Sequence, residues 1–357
     1  MTSSSTRSAA RAGSAVCGRR PVLLAMAAVA LAGITDPARR DASARADDPL
    51  PSWNDGAAKQ AILDFVREAT TEGGANHLAP EERIATFDQD GTLWVEHPIY
   101  TQAVFAVDRV KALAPDHPEW ATTAPYSDVI AGDEAAIAGF SEEDWAEIVG
   151  ATHGGMTVEA FQQIVGDWLA TATHPRFGTP YTDLVYQPML EVMALLRANG
   201  FAVSIVSGGG QDFIRAYSER VYGVPPERVI GTTFETTYAV GPSGTPTLTK
   251  EPRLQLNDNN GGKPEDINLF VGRRPAAAFG NSTGDQQMLE WTHAGDRARL
   301  ALLVHHDDAG REYAYGPAGG LPDTEVGTFT DALMQEAARD GWTVVSMKDD
   351  WNRIFPD

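Results

Sequence analysis

The chain has 357 residues, 43% of them hydrophobic, and a formal net charge of -21. That length and apolar content support one large domain, or a core carrying an inserted module, and exclude a chain disordered throughout. So acidic a protein lacks the clustered Lys and Arg that a nucleic-acid backbone or an anionic membrane face demands; neither is expected as a partner, and any phosphate site must carry its own local positive charge.

Residues 1–46 read as a targeting segment. Arg19-Arg20 precede an uncharged run over 21–35 (PVLLAMAAVALAGIT), and Ala44-Arg45-Ala46 stand before Asp47-Asp48. That is the charged, apolar and small-residue order of a signal peptide. The run is too short for a comfortable span of about 20 residues, so no stable membrane insertion is expected once it is cleaved. The protein is therefore expected to be exported, to the periplasm or beyond it. The paired arginines suit the twin-arginine route, Pro21 weakens that match, and general secretion stays open. Cys17, the one cysteine, falls inside the segment, which rules out a disulfide framework or a cysteine metal centre in the remainder.

Over 52–70, Ala58, Ile62, Phe65 and Val66 recur at helical spacing and predict an amphipathic helix. Next comes Ile84-Ala85-Thr86-Phe87-Asp88-Gln89-Asp90-Gly91-Thr92-Leu93-Trp94, an apolar run ending in two carboxylates and a glycine. It predicts a buried strand stopping at a turn, with Asp88 and Asp90 in the crevice beyond the strand ends where α/β sheets bind ligands. Two acids so close stay ionised together only with a cation between them, and a hard, oxygen-liking ion such as Mg2+ is the economical one. A solvated turn is the competing interpretation. A calcium loop is not, because Gly91 comes too early and Leu93 and Trp94 occupy ligand positions.

Between 98 and 179 the pattern changes to helical blocks, with Ser141 and Thr157 as expected N-caps. A helix ending at Gly200 then leads into a strand over 201–207 that closes in Ser207-Gly208-Gly209-Gly210, a turn whose open amides suit a phosphate oxygen. Two short strands forming a hairpin follow, turning at 241–244. After them Lys263 stands just before a helix opened by Pro264 and Glu265; taken alone, a lysine there is an ordinary surface residue. A small-residue strand then ends in Gly280-Asn281-Ser282-Thr283-Gly284-Asp285. Further strands are expected over 301–306 and 342–348, with a helix between them. His305 and His306 are neighbours on the first of these, so they point to opposite faces and do not readily share an ion.

These four landmarks, in this order, resemble the motifs of the haloacid dehalogenase superfamily of phosphohydrolases, over a stretch from about Arg83 to Asp285. The resemblance implies an α/β fold: a Rossmann-like parallel-sheet core (47–97 and 180–357) with helices on both faces, and an inserted, mainly helical cap (98–179). It also implies Mg2+-dependent hydrolysis of a small phosphorylated substrate through an aspartyl-phosphate. Asp88 becomes the nucleophile and Asp90 the acid and base. Ser207, Gly208 and Lys263 become phosphate contacts, and Asp88, Asp90, Asn281 and Asp285 the metal set. The sequence departs from the family pattern at Asn281, where an acid is usual, and Asp285 is expected to compensate. The presence of Asp90 favours a phosphatase over a dehalogenase, and the spacing around Ser207 and Asn281 is similar to phosphoserine phosphatase-like members. A phosphate-ester binding protein with little turnover is the alternative that Asn281 raises. Trp94, Glu96 and His97 are candidates to face the leaving group, or else to pack the cap hinge.

Overall fold

A computed structural model describes residues 48–241 and 244–357. The expected targeting segment lies outside the described residues, as do two residues of the expected hairpin turn. The four residues of β1 (Ile84–Phe87) are all buried, as a strand paired on both edges and covered on both faces must be. On one edge β1 pairs in parallel with β2 (Ala202–Gly210), from Ile84 opposite Ala202 to Phe87 opposite Ile205. Five more strands follow, β3 (Val229–Val240), β4 (Pro246–Leu256), β5 (Ala277–Gly280), β6 (Leu300–His305) and β7 (Thr343–Ser346), of which β5 takes the other edge of β1.

The sheet order is β4-β3-β2-β1-β5-β6-β7, parallel throughout except for the β3–β4 pair. The chain leaves β1 to build one half of the sheet and returns to its other edge only after β4. The carboxyl end of β1 is thus the topological switch point, where the crevice of an open α/β sheet lies.

Strand alternation divides the core in two. Phe87, Ile205, Phe279 and Leu302 face one layer, where Ile62 and Phe65 of α1 (Ala57–Thr70) pack. Val206, Ala278 and Leu303 face the other, against helices that come later in the chain. The helix α1 begins five residues later than its periodicity suggests, because Trp53 is drawn into a bridge with Trp351 and Ser52 onto the Glu191 carboxylate.

Between β1 and β2 the described chain is helical. It holds α2 (Thr101–Leu113), α3 (Glu142–His153) and α4 (Val158–Leu169), with shorter helical turns between the first two, and then α5 (Gln187–Ala198), which packs on the sheet. Ser141 and Thr157 cap α3 and α4 as expected, accepting from the amides of Asp144 and Ala160. Ala106, Val110, Trp120, Tyr126, Val129 and Ile148 give this insert a small core of its own. Phe105, Phe161 and Val165 instead join the layer under the sheet.

Two elements differ from expectation. The strand expected to end at Ser207 runs on to Gly210, because Ser207 pairs with Gly231 and the next partnership is Gly210 with Thr232; Gly208 and Gly209 bulge out of the ladder. The hairpin expected as short strands is a long antiparallel arm, and its role is visible. Lys250 on β4 exchanges main-chain bonds with the insert, donating to Met156 O and accepting from Gly155 N, both at 2.8 Å. Its buried ammonium pairs with Asp212 and lies over the rings of Phe161 and Phe234.

On the other layer, α6 (Gly262–Phe270), α7 (Gln286–His293) and α8 (Asp331–Asp340) contribute Ile267, Met288, Leu289, Leu333 and Ala337. Phe87 and Phe279 stack at 4.1 Å between ring centroids where β1 meets β5. Phe279→Ala removes that partner from a site with no exposed surface, and is expected to cost about 4 kcal/mol of unfolding free energy in a urea titration.

Candidate active site

The turn after β1 is built by its own backbone. Asp88 N donates to Phe279 O at 2.9 Å, and the amides of Thr92, Leu93 and Trp94 all converge on Gln89 O. Gly91 sits at φ +72°, and a Cβ there would lie 2.2 Å from Asn281 Nδ2 and 2.3 Å from Glu96 Oε1. Only glycine meets both conditions. His306 Nε2 lies 2.7 Å from Gly91 O and its Nδ1 3.1 Å from Glu312, so a buried imidazole holds the turn from behind.

The structure brings the landmarks together. Lys263, in the first turn of α6 and 2% exposed, reaches Asp88 Oδ1 at 2.5 Å, Asp285 Oδ1 at 2.6 Å and Val206 O at 3.0 Å. Burial works against the Lys263 ammonium, but the charges of Asp285, Asp88 and Asp258 more than offset it, and its pKa stays above the ordinary lysine value. Burial and then the neighbouring Asp285 push the Asp88 carboxyl up, against the pull of Lys263. The site therefore holds more acid than its one lysine balances.

Asp90 and Ser207 meet above the glycines. A Cβ at Gly209 would lie 3.3 Å from Ser207 Oγ, 3.4 Å from Gln102 Oε1 and 3.7 Å from Asp90 Oδ2. Ser207 Oγ accepts from Gly209 N at 3.1 Å, and Gly208 is exposed beside it. Burial raises the Asp90 carboxyl to about 6, although Trp94 Nε1, donating to its Oδ1 at 2.6 Å, pulls the other way.

Asp285 and Asn281 divide differently from the expectation that Asp285 compensates as a metal ligand. Asp285 Oδ1 is taken by Lys263, and its Oδ2 accepts from the amides of Asn281 and Ser282 at 2.9 and 3.0 Å. Both of its oxygens are committed to holding the lysine and closing the loop after β5. Asn281 Oδ1 instead faces Thr92 Oγ1 at 3.1 Å, and Thr92 lies 3.5 Å from Asp88 Oδ2. Among the described residues no three His, Cys, Asp or Glu side chains form a metal cluster. The side-chain oxygens that suit a hard cation are Asp88 Oδ2 and Asn281 Oδ1, both beside Thr92 Oγ1.

Trp94, Glu96 and His97 pack against other protein groups, Trp94 with its Nε1 on Asp90. Trp94 stacks on Tyr217, His97 on Tyr315, and Glu96 accepts from Asn281 Nδ2 and Tyr315 Oη, both at 2.7 Å. Burial pushes the Glu96 carboxyl well up. The two histidines part as strand alternation requires, His306 under Gly91 and His305 beside Asp307.

Sequence reasoning missed Gln102. From α2 its Oε1 accepts from Gly210 N at 2.7 Å, while its Nε2 lies 3.1 Å from His153 Nε2. His153 Nδ1 in turn lies 2.7 Å from Thr152 Oγ1, whose proton goes to Ile148 O. This fixes the tautomer, with Nδ1 protonated and Nε2 accepting. A glutamine within a helical block carries no sequence signal of this kind; only the apposition of α2 and Gly210, at the end of the Gly208–Gly209 bulge, reveals it.

A parallel sheet that gathers two raised carboxyls, a buried lysine and an exposed glycine bulge at its switch point is an α/β enzyme core. The chain belongs to the haloacid dehalogenase-like hydrolases, whose family profile matches residues 85–290. No curated protein matches it. Among solved structures it is similar to a conserved protein of unknown function from Anaerococcus prevotii, at 16% identity and a TM-score of 0.49 over 71% of this chain and 86% of that one. It is also similar to a protein of unknown function from Bordetella pertussis, at 16% and 0.46 over 74% and 98%. A probable phosphoserine phosphatase from Vibrio cholerae matches at 16% and 0.34 over 62% and 55%.

Burial, followed by the charges of Lys250 and Arg109, lowers the His153 pKa to about 3 from an ordinary 6.5. The unfolded chain thus binds a proton here that the folded chain refuses, and stability falls as pH drops below 6.5, by about 1.4 kcal/mol per unit, until the folded pKa is reached. In unfolding titrations from pH 7 to pH 4, His153→Gln is expected to lose less stability than the parent by roughly that slope.

Proposed function

We propose that the protein is a Mg2+-dependent phosphomonoester hydrolase, exported through its leading segment, that acts on a small phosphorylated metabolite through an aspartyl-phosphate. The observation that carries this reading is the Lys263 bridge, which holds Asp88 Oδ1 and leaves Oδ2 facing Thr92 and the cleft. In the first step the Asp88 carboxylate attacks phosphorus through an oxygen that the metal does not hold, while Asp90 gives its proton to the departing ester oxygen, and the P–O bond to the alcohol breaks. In the second step Asp90 takes a proton from water, whose oxygen attacks the aspartyl-phosphate; the acyl-phosphate bond breaks and inorganic phosphate leaves. Lys263, Ser207 and the Gly208 amide stabilise the charge on the phosphoryl oxygens throughout, where most of the catalysis of this reaction lies. Asp88, Asn281 and the Asp90 carbonyl would hold Mg2+, which would supply the additional positive charge that the acid-rich site lacks.

Assay of the purified chain, without residues 1–46, on a panel of phosphomonoesters that includes phosphoserine and p-nitrophenyl phosphate tests this. Activity is expected with Mg2+ and its loss on chelation. Asp88→Asn is expected to lower kcat by about a thousandfold or more while the circular dichroism spectrum is retained. Asp90→Asn is expected to damage turnover of alkyl phosphates far more than of p-nitrophenyl phosphate, whose leaving group needs little protonation. The amide at position 281 favours a second reading, a phosphate-ester binder of low turnover. Tight ligand binding without Mg2+-dependent hydrolysis would select it.

A further inference from the structure

Asn281 brings an oxygen but no charge to the cleft, and its amide can face either way unless something fixes it. Glu96 does so. Its Oε1 accepts from Asn281 Nδ2 at 2.7 Å, so Oδ1 is turned to Thr92 and the Asp88 side. The carboxylate is 2% exposed and is itself held by Tyr315 Oη at 2.7 Å. The Tyr315 ring is clamped between His97, at 3.6 Å, and His306, at 4.5 Å. Two glycines make room for Glu96: a Cβ would lie 2.3 Å from its Oε1 at Gly91 and 1.8 Å at Gly327, both at positive φ. Both donors converge on Oε1, and among the described residues no donor reaches Oε2. Lys263, the lysine of the site, is committed to Asp88 and Asp285.

We infer that Glu96 is a positioning residue for the cation site. It locks the Asn281 amide with its oxygen toward Asp88 and stands as the acid beside the amide, so the carboxyl and amide positions are transposed between 96 and 281. This rests on the Mg2+-dependent reading above. It makes the two positions interdependent: an acid at 96 serves an amide at 281, and an amide at 96 serves an acid at 281. Two acids together place like charges at hydrogen-bond distance, and two amides leave neither position with an acid.

The test is a double-substitution cycle read as Mg2+ affinity by isothermal titration calorimetry, on proteins shown by circular dichroism and thermal unfolding to be native without metal. In the parent, Glu96→Gln is expected to weaken Mg2+ binding about tenfold or more, the scale of lost support behind a metal ligand. In an Asn281→Asp background the same Glu96→Gln change is expected to leave affinity unchanged or to improve it, and the double variant is expected to bind within about threefold of the parent. Equal losses in both backgrounds, or no loss in either, would overturn the transposition. A parent protein that binds no Mg2+ overturns it together with the metal-dependent reading. A coupled cycle in a parent that binds Mg2+ and hydrolyses no phosphoester upholds the transposition and sinks the hydrolase reading alone.

Discussion

The site depends on one buried ammonium. Lys263 is surrounded by Asp88, Asp285 and the Val206 carbonyl, with almost no solvent to share the charge. A lysine so buried is tolerated only because its charge is matched several times over, and the matching groups belong to the end of β1, the end of β2 and the loop after β5. The same contact therefore aligns three strand ends. The crevice at the switch point is held in shape by the electrostatics that its chemistry will use, and Asp285, spent on Lys263 and the loop amides, is the structural half of that arrangement.

The fold and the four landmarks were legible because they are written in local signals. A short apolar run closed by Asp88-Gln89-Asp90-Gly91, a strand closed by Ser207 and glycines, and a small-residue strand closed by Gly280-Asn281 each mark a strand end, and strand ends are where α/β sites form. The helical insert was legible for a similar reason, since Ser141 and Thr157 announce their helices. The supporting shell was not. Glu96 touches residues 185 and 219 positions away, and His306 reaches Gly91 across 215. No periodicity or cap records contacts of that kind. The long β3–β4 arm was underestimated because Thr-rich and Pro-flanked segments look short until a partner pairs with them.

Glycine plays two separate parts around this site, and the sequence shows both as the same letter. Gly208 and Gly209 leave the ladder as a bulge that exposes Gly208, while Gly91 and Gly327 leave space for a carboxylate that comes from elsewhere. The first part is visible as a cluster at a strand end. The second is visible only after Glu96 has been placed.

The β4 strand ties the helical insert to the sheet through the main chain of Lys250, and the insert is joined to the core covalently at both of its ends. Two attachments would define an axis about which a lid can swing. The Lys250 pair is a third attachment, so a swing of the insert that moves this point must break two main-chain hydrogen bonds.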